Sequence, residues 1–176
     1  MQFEVVLRAF GEFFDRENIR YAVIGGLAIQ AWGGSRFTKD ADLVIDREVR
    51  DRVIAFAESI GYETLGVFDG YSNHLNSDED LGRIDFMYVT GETARKIFAS
   101  IENRAVIGDV VAPVARPEHL AMMKAISMKN RPARALYEGD DVRLLLKVPG
   151  VNRAEVREYF ARHGLLELFD AIEKAG

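Results

Sequence analysis

The sequence predicts an α+β fold, in which a mixed β-sheet with flanking helices is followed by a helical C-terminal part. Up to about residue 115, short apolar runs typical of strands alternate with segments of helical periodicity. From Pro117 onward the spacing of apolar residues is helical. With 176 residues and a hydrophobic fraction of 48%, the chain can build a substantial core. We expect residues 1–115 to form an α/β core and residues 116–176 to form a helical part packed on it.

The first elements follow from residue spacing. A first helix should carry an apolar stripe of Phe3, Val6, Leu7, Phe10, Phe13 and Phe14. A short strand over 21–26, a small helix over 27–32, a glycine-rich loop and a second strand over 40–45 come next. A helix from about 48 to 60 should end at Gly61, because glycine commonly terminates helices.

The remaining elements are predicted in the same way. The runs YETLGVF and RIDFMYV indicate two more strands, and the polar stretch DGYSNHLNSDED between them indicates a loop or a hairpin tip. A helix over about 93–101 precedes two strand-like segments, RAVIGD and VVAPVA. Pro117 and Pro149–Gly150 mark element boundaries in the helical part. That part has four segments: PEHLAMMKAISMK, ARALYEGDDVRLLLK, NRAEVREYFARHG and LLELFDAIEKA.

Composition excludes several kinds of site. The chain has no cysteine, so disulfides, thiolate zinc sites and thiol catalysis are excluded. His74, His119 and His163 lack metal-ligand spacing, and we expect them at surface or boundary positions. No stretch approaches the roughly 20 apolar residues of a membrane helix, and the N-terminus does not resemble a secretory signal. These features predict a cytoplasmic protein with no membrane partner.

The charge distribution is uneven. A net charge of −5 argues against a broadly basic nucleic-acid-binding surface, although a local basic groove stays open. Residues 116–157 contain nine Lys or Arg and five acids, a net charge of +4. This segment either forms a positive wall facing a ligand cleft or simply solvates exposed helix faces.

Three aspartates are the principal candidates for chemistry. In an extended strand, Asp40 and Asp42 project to the same side, and Asp85 lies within another strand-like run. If the two strands are neighbours, three carboxylates converge, and such a group can hold two Mg²⁺ ions about 4 Å apart for phosphoryl transfer. The alternatives are that Asp40 and Asp42 form turns or caps and that Asp85 pairs with an arginine.

The glycine pair Gly25–Gly26 lies between the first strand and the following helix. Glycines there would allow backbone N–H groups to approach a phosphate, with Arg36 and Lys39 adding positive charge nearby. A simple turn is the alternative. Other phosphate and metal motifs do not match. GGLAIQ does not fit G-x-G-x-x-G, and GGSRFTKD lacks G-K-[ST]. A calcium-binding loop that began at Asp40 would need glycine at its sixth position, which is Ile45.

Taken in order, these residues resemble the nucleotidyltransferase superfamily related to DNA polymerase β. Its signature, a hydrophobic residue and two small residues, then Asp-x-Asp, then a later carboxylate, is matched by Ile24-Gly25-Gly26, Asp40-Ala41-Asp42 and Asp85. The stretch GGLAIQAWGGSRFTKDADLVI is similar to AbiEii-type nucleotidyltransferases, many of which are toxins of bacterial toxin–antitoxin pairs. The segment PEHLAMMKAISMKNRPARALYEGDDVRLLL is similar to the C-terminal part of that group.

The resemblance implies a nucleotidyltransferase fold and a role for each matched residue. Asp40, Asp42 and Asp85 would bind Mg²⁺, Asp85 would activate the acceptor hydroxyl, and Lys124 would hold the triphosphate. Lys124 is otherwise an ordinary boundary lysine whose ammonium group reaches water. The implied nucleotide-binding residues are Gly25, Gly26, Ser35, Arg36, Thr38, Lys124 and Asp141.

The resemblance leaves the partner molecules open. Members of the group often have Lys-Asp about three residues before the later acid, whereas here Glu138 follows Tyr137. The acceptor of a nucleotide from a nucleoside triphosphate can be RNA, a protein or a small molecule, and an antitoxin protein can be a partner. The alternative function is a non-catalytic module of the same fold that binds a nucleotide or a protein.

Overall fold

The computed structural model describes residues 1–175 and confirms the α+β class. Within these residues it contains a seven-stranded mixed sheet and eight α-helices. The strands are β1 (Tyr21–Ile24), β2 (Asp40–Asp46), β3 (Tyr62–Val67), β4 (Tyr71–Asn76), β5 (Arg83–Val89), β6 (Glu102–Ile107) and β7 (Val110–Val114). The helices are α1 (Phe3–Arg16), α2 (Gly25–Ala31), α3 (Arg50–Ser59), α4 (Gly91–Ala99), α5 (Pro117–Asn130), α6 (Ala135–Leu146), α7 (Arg153–Arg162) and α8 (Leu166–Lys174).

The strand order in the sheet is β3-β4-β5-β2-β1-β7-β6. Strands β2 and β5 are parallel neighbours, as are β1 and β7, and the remaining pairs are antiparallel. The central pair β2–β5 therefore joins two strands that are distant in sequence. The hairpin β3–β4 lies between them along the chain and forms one end of the sheet.

The aromatic stripe of α1 packs on one face of the sheet, as its spacing predicts. The fully buried Phe10 ring contacts Phe86 of β5, with 5.4 Å between ring centroids. It also contacts Phe56 of α3 at 5.3 Å and Tyr62 of β3 at 6.0 Å. These contacts place α1 and α3 together on this face and leave the opposite face of β5 free to carry the acidic residues.

The C-terminal helices pack on one another, and α5 contacts both α6 and α7. Glu118 in the first turn of α5 is buried, and its Oε1 accepts a hydrogen bond from the backbone N–H of Asn152 at 2.7 Å. The same oxygen pairs with Arg116 at 2.9 Å. This charged contact fixes the start of α5 to the segment that precedes α7. None of the helices within residues 1–175 has the length and apolar character needed to cross a membrane.

Two expectations are corrected by the structure. The polar stretch after β3 contains strand β4, which is more than a loop or hairpin tip. His74 on this strand and His119 on α5 are buried and do not occupy surface or boundary positions. Burial lowers the pKa of the His74 imidazole, and hydroxyl groups of Ser72 and Thr64 lie 2.7 Å and 3.1 Å from its two ring nitrogens. A polar strand can be buried in this way because its neighbours satisfy its hydrogen-bonding groups.

Candidate active site

Three aspartates converge on the face of the sheet opposite α1. In the parallel pair β2–β5, Asp42 lies opposite Asp85 and Asp40 lies opposite Arg83. Paired positions of adjacent strands project side chains to the same face. One carboxylate oxygen from each of Asp40, Asp42 and Asp85 lies within 4.8 Å of the others. The three side chains therefore form one compact acidic cluster.

The electrostatics of the cluster favour a bound cation. Burial, together with the negative charges of Asp40 and Asp85, raises the pKa of Asp42 to about 7. The positive charges of Lys124 and Arg83 oppose this shift but do not cancel it. A divalent cation among the three carboxylates would reverse the repulsion and favour ionised Asp42.

Neighbouring side chains orient the other two carboxylates. The Arg83 guanidinium donates to both oxygens of Asp85, at 2.9 Å and 3.0 Å. The Thr38 hydroxyl donates to Asp40 Oδ1 at 2.8 Å. The arginine pairing that was an alternative explanation for Asp85 is thus present within the acidic cluster itself.

Gly25 and Gly26 are packed directly against this cluster. Gly25 has a φ of +64°, and a Cβ atom at this position would lie 1.9 Å from Asp42 Oδ2. At Gly26 a Cβ atom would lie 2.6 Å from the Cβ atom of Thr38. A side chain at either position would displace a group of the cluster. This close approach across β1 and β2 has no local signal in the sequence other than the glycine pair.

Lys124 is held in a nearly buried ionic network. Its ammonium nitrogen lies 2.7 Å from Glu138 Oε2 and 2.8 Å from Asp141 Oδ2. Burial opposes the positive charge, but the two carboxylates outweigh burial and raise the pKa of Lys124. Arg36 Nε pairs with Asp141 Oδ1 at 2.9 Å, and Arg134 pairs with Glu138 at 3.0 Å. Lys124 therefore differs from a boundary lysine with a solvated ammonium group, and it lies near enough to Asp42 to act on its pKa.

The loop between α2 and β2 brings further candidate residues beside the cluster. An open groove of about 560 Å³ is lined by Gln30, Gly33, Gly34, Ser35, Arg36 and Phe37. Through its pair with Asp141, Arg36 connects this loop to α6. Ion pairs thus connect the predicted residues Arg36, Lys124 and Asp141. Glu138 belongs to the same ionic network and was not predicted from the sequence.

Most basic side chains of the segment 116–157 form ion pairs. Among the described residues, six of its nine Lys or Arg side chains form ion pairs: Arg116, Lys124, Arg134, Arg143, Arg153 and Arg157. Four of these six pair with acids of the same segment, which its net charge of +4 already counts, and only Arg153 and Arg157 pair with acids outside it. The ion pairs therefore leave the segment with a positive balance.

The fold is that of nucleotidyltransferases, as comparison with solved structures shows. The solution structure of the antibiotic-resistance factor ANT(2″)-Ia aligns with a TM-score of 0.72 and 16% identity over 99% of this chain and 98% of that chain. An antigenic nucleotidyltransferase-like protein from Paracoccidioides brasiliensis aligns with a TM-score of 0.58 and 16% identity over 98% and 92% of the two chains. The lincomycin-bound lincosamide adenylyltransferase LnuA aligns with a TM-score of 0.56 and 14% identity over 82% and 97%.

The similarity lies in the fold and not in close sequence relationship. No family model matches the chain, and no curated protein matches it by sequence. The structural similarities show the fold alone, and the narrower resemblance to AbiEii-type proteins stays a prediction.

Proposed function

We propose that this protein is a Mg²⁺-dependent nucleotidyltransferase that transfers a nucleotide from a nucleoside triphosphate to an acceptor hydroxyl. The observation that carries the proposal is the convergence of Asp40, Asp42 and Asp85 within 4.8 Å on a nucleotidyltransferase fold. The donor set fits Mg²⁺, which prefers carboxylate oxygens and shares them with phosphates. The raised pKa of Asp42 supports this assignment, because a cation would relieve the repulsion that raises it.

The reaction requires charge neutralisation and positioning more than covalent catalysis. Mg²⁺ held by the three aspartates would neutralise charge on the attacking and leaving oxygens. The acceptor oxygen forms a bond to the α-phosphorus, and the bond from that phosphorus to the bridging oxygen breaks, releasing pyrophosphate. Asp85 accepts the hydroxyl proton. Lys124 and Arg36 supply positive charge for the phosphates from the side of α5 and the α2–β2 loop.

The proposal is tested with each of the four nucleoside triphosphates in turn. We expect Mg²⁺-dependent binding and, with an acceptor present, release of pyrophosphate. Tobramycin and lincomycin are reasonable first acceptors, because similar structures contain adenylyl-2″-tobramycin and lincomycin. Total RNA and cell extract, incubated with labelled triphosphates, extend the search to polymeric acceptors and to any antitoxin partner.

Asp42→Asn is the decisive variant. It preserves shape but removes one charge of the cluster, so we expect the transferase rate to fall by about 100-fold or more while the fold is retained. Pyrophosphate release and far-UV circular dichroism measure the two effects. An unchanged rate in this variant contradicts the metal-dependent mechanism. Nucleotide binding by the wild type without pyrophosphate release under all conditions indicates a non-catalytic module.

A further inference from the structure

Arg83 lies at the fourth corner of the acidic cluster. Along β5, Arg83 and Asp85 are two residues apart and project to the same face, as Asp40 and Asp42 do along β2. The parallel register places Arg83 opposite Asp40 and Asp85 opposite Asp42. The four side chains therefore form a square of three carboxylates and one guanidinium. Arg83 itself was not predicted from the sequence as a residue of the site.

The guanidinium holds Asp85 through two hydrogen bonds. Arg83 Nε donates to Asp85 Oδ1 at 2.9 Å, and Arg83 Nη2 donates to Asp85 Oδ2 at 3.0 Å. Two parallel hydrogen bonds fix the plane of a carboxylate, which the single ammonium group of a lysine cannot do. The contact therefore restricts Asp85, whose side chain is only 20% exposed, to one orientation.

The charge of Arg83 acts on the whole cluster. Hydrogen bonds to Asp85, together with the negative charges of all three aspartates, raise the pKa of the Arg83 guanidinium above its ordinary value despite partial burial. In the opposite direction, the positive charge of Arg83 works against the rise in the pKa of Asp42. Arg83 is thus a permanent cation that all three carboxylates share.

With Arg83 included, the charge of the cluster matches one divalent cation. Three ionised carboxylates carry three negative charges, and the guanidinium leaves two of them uncompensated. Lys124 adds little to this balance, because its ammonium group is already paired with Glu138 and Asp141. A second divalent cation at the same carboxylates would meet net repulsion unless it arrived with the negative charge of a triphosphate.

We infer that Arg83 is a built-in cation of the acidic cluster, which limits the nucleotide-free protein to one tightly bound divalent cation and holds the Asp85 carboxylate in place for the acceptor hydroxyl. The inference rests on the proposed function and adds a positioning residue to it. The triphosphate then brings the second Mg²⁺, because its negative charge offsets the repulsion from Arg83 and from the first cation. Arg83 acts through Asp85 and through its charge, without contact to the reacting atoms.

Two substitutions separate the charge of Arg83 from its shape. Arg83→Gln removes the charge, whereas Arg83→Lys keeps the charge and loses the paired hydrogen bonds. The probe is Mn²⁺, which takes the same oxygen ligands as Mg²⁺ and is detected by electron paramagnetic resonance. Its binding is measured without nucleotide and with the α,β-methylene analogues of the four triphosphates, which cannot release pyrophosphate.

The affinity for Mn²⁺ reports the charge. We expect the wild type to bind one Mn²⁺ without nucleotide and two with an analogue. Arg83→Gln should bind the first Mn²⁺ about tenfold more tightly than the wild type, because one positive charge has left the cluster. Arg83→Lys should stay within about threefold of the wild-type affinity, because the charge is retained.

The rate of transfer reports the shape. Pyrophosphate release is measured with the triphosphate and acceptor on which the wild type is fastest. We expect kcat to fall about 100-fold in both variants, because neither holds the Asp85 carboxylate in its plane. In Arg83→Lys, KM for the triphosphate should stay within about threefold of wild type. An ion pair that served structure alone would lower stability and leave kcat unchanged.

Arg47 provides the matched control. It pairs with Asp69 at 2.7 Å, and its side chain is 44% exposed, close to the 43% of Arg83. Arg47→Gln and Arg47→Lys should keep the wild-type Mn²⁺ affinity and kcat. Urea unfolding in EDTA and in Mg²⁺ checks the folding of every variant. Mg²⁺ should stabilise Arg83→Gln more than the wild type, since a cation bound more tightly by the folded state stabilises it more.

The outcomes separate this inference from the proposed function. A wild type that binds no Mn²⁺, with or without a triphosphate analogue, overturns the proposed function itself. Wild-type binding of Mn²⁺ with an unchanged or weaker affinity in Arg83→Gln overturns the inference alone. A wild-type kcat in Arg83→Lys also overturns it, because the paired hydrogen bonds to Asp85 would then be dispensable.

Discussion

At the scale of single residues, the contact of Gly25 with Asp42 is the clearest constraint on the acidic cluster. Gly25→Ala introduces a methyl group 1.9 Å from Asp42 Oδ2, so the carboxylate must move. The positive φ adds a strain of about 1–2 kcal/mol. We expect Mg²⁺-dependent activity to fall by about 100-fold, because small displacements of catalytic groups have large effects on rate.

The matched control for this substitution is Gly164→Ala. Gly164 also has a positive φ, +72°, but a Cβ atom there would meet nothing within 4 Å. Backbone strain should lower the stability of both variants, measured by urea unfolding, and the clash with Asp42 adds to the loss in Gly25→Ala. Only Gly25→Ala should lose activity. Equal activity in the two variants would show that the position of Asp42 is not critical.

The raised pKa of Asp42 predicts an unusual pH dependence of stability in the metal-free protein. The pKa rises from 3.8 in the unfolded chain to about 7 in the fold, so the folded state retains a proton that the unfolded state has lost. The stability that the fold gains from protonated Asp42 is fully present below about pH 4 and is lost as the pH rises to about 7. Asp42→Asn lacks this titration and should gain stability relative to wild type across that range.

Urea unfolding in EDTA at several pH values measures this difference directly. The advantage of the Asn variant should be largest above about pH 7, where wild-type Asp42 is ionised. Added Mg²⁺ should stabilise the wild type more than the variant, since a ligand of the folded state raises its stability. Parallel pH profiles for the two proteins would contradict the assignment of the raised pKa to Asp42.

At the scale of secondary-structure elements, Lys124 on α5 connects two helices and a loop. Its carboxylate partners Glu138 and Asp141 on α6 have side chains that are only 4% and 3% exposed. Lys124→Ala removes one positive charge from beside the two buried carboxylates. We expect the free energy of unfolding to fall by about 3 kcal/mol, a loss that Arg36 and Arg134 limit because they still pair with these carboxylates. Triphosphate affinity should fall as well.

Two further variants separate these effects. Adding Glu138→Gln to Lys124→Ala removes one buried charge and should recover part of the stability but none of the triphosphate affinity. Lys129→Ala is the control on the same helix, because Lys129 is exposed and is in no ion pair among residues 1–175. If Lys124→Ala lowers stability while nucleotide affinity is unchanged, the network serves structure alone.

At the scale of the whole molecule, the sequence predicts the elements better than their mutual contacts. The stripe containing Phe10 and the strands containing Asp42 and Asp85 are predictable because apolar periodicity reports burial. Strand β4 escapes the same reasoning, since Ser72 and His74 are polar and become buried only through hydrogen bonds to neighbouring groups. Local polarity does not reveal such partners.

In the candidate site too, the positions of residues within strands are predictable from the sequence, whereas contacts between distant side chains are not. An Asp-x-Asp pair in a strand and a later strand aspartate predict a metal cluster once the strands are taken as neighbours. The pairing of Arg36 with Asp141 joins residues that are far apart in the chain, and no local pattern encodes it. Glu138 was missed as a partner of Lys124 for the same reason.

The parallel pairing of β2 with β5 also has a consequence for the kinetics of folding. Strands β3, β4 and β5 each pair with their neighbour in sequence, whereas β5 must also pair with β2, which precedes β3 in the chain. Such long-range pairing is slow, because a large loop is closed before its contacts are gained. We therefore expect the acidic cluster to assemble late, after the folding transition state. Mg²⁺ should then lengthen the lifetime of the native protein by slowing unfolding, while leaving the rate of refolding nearly constant.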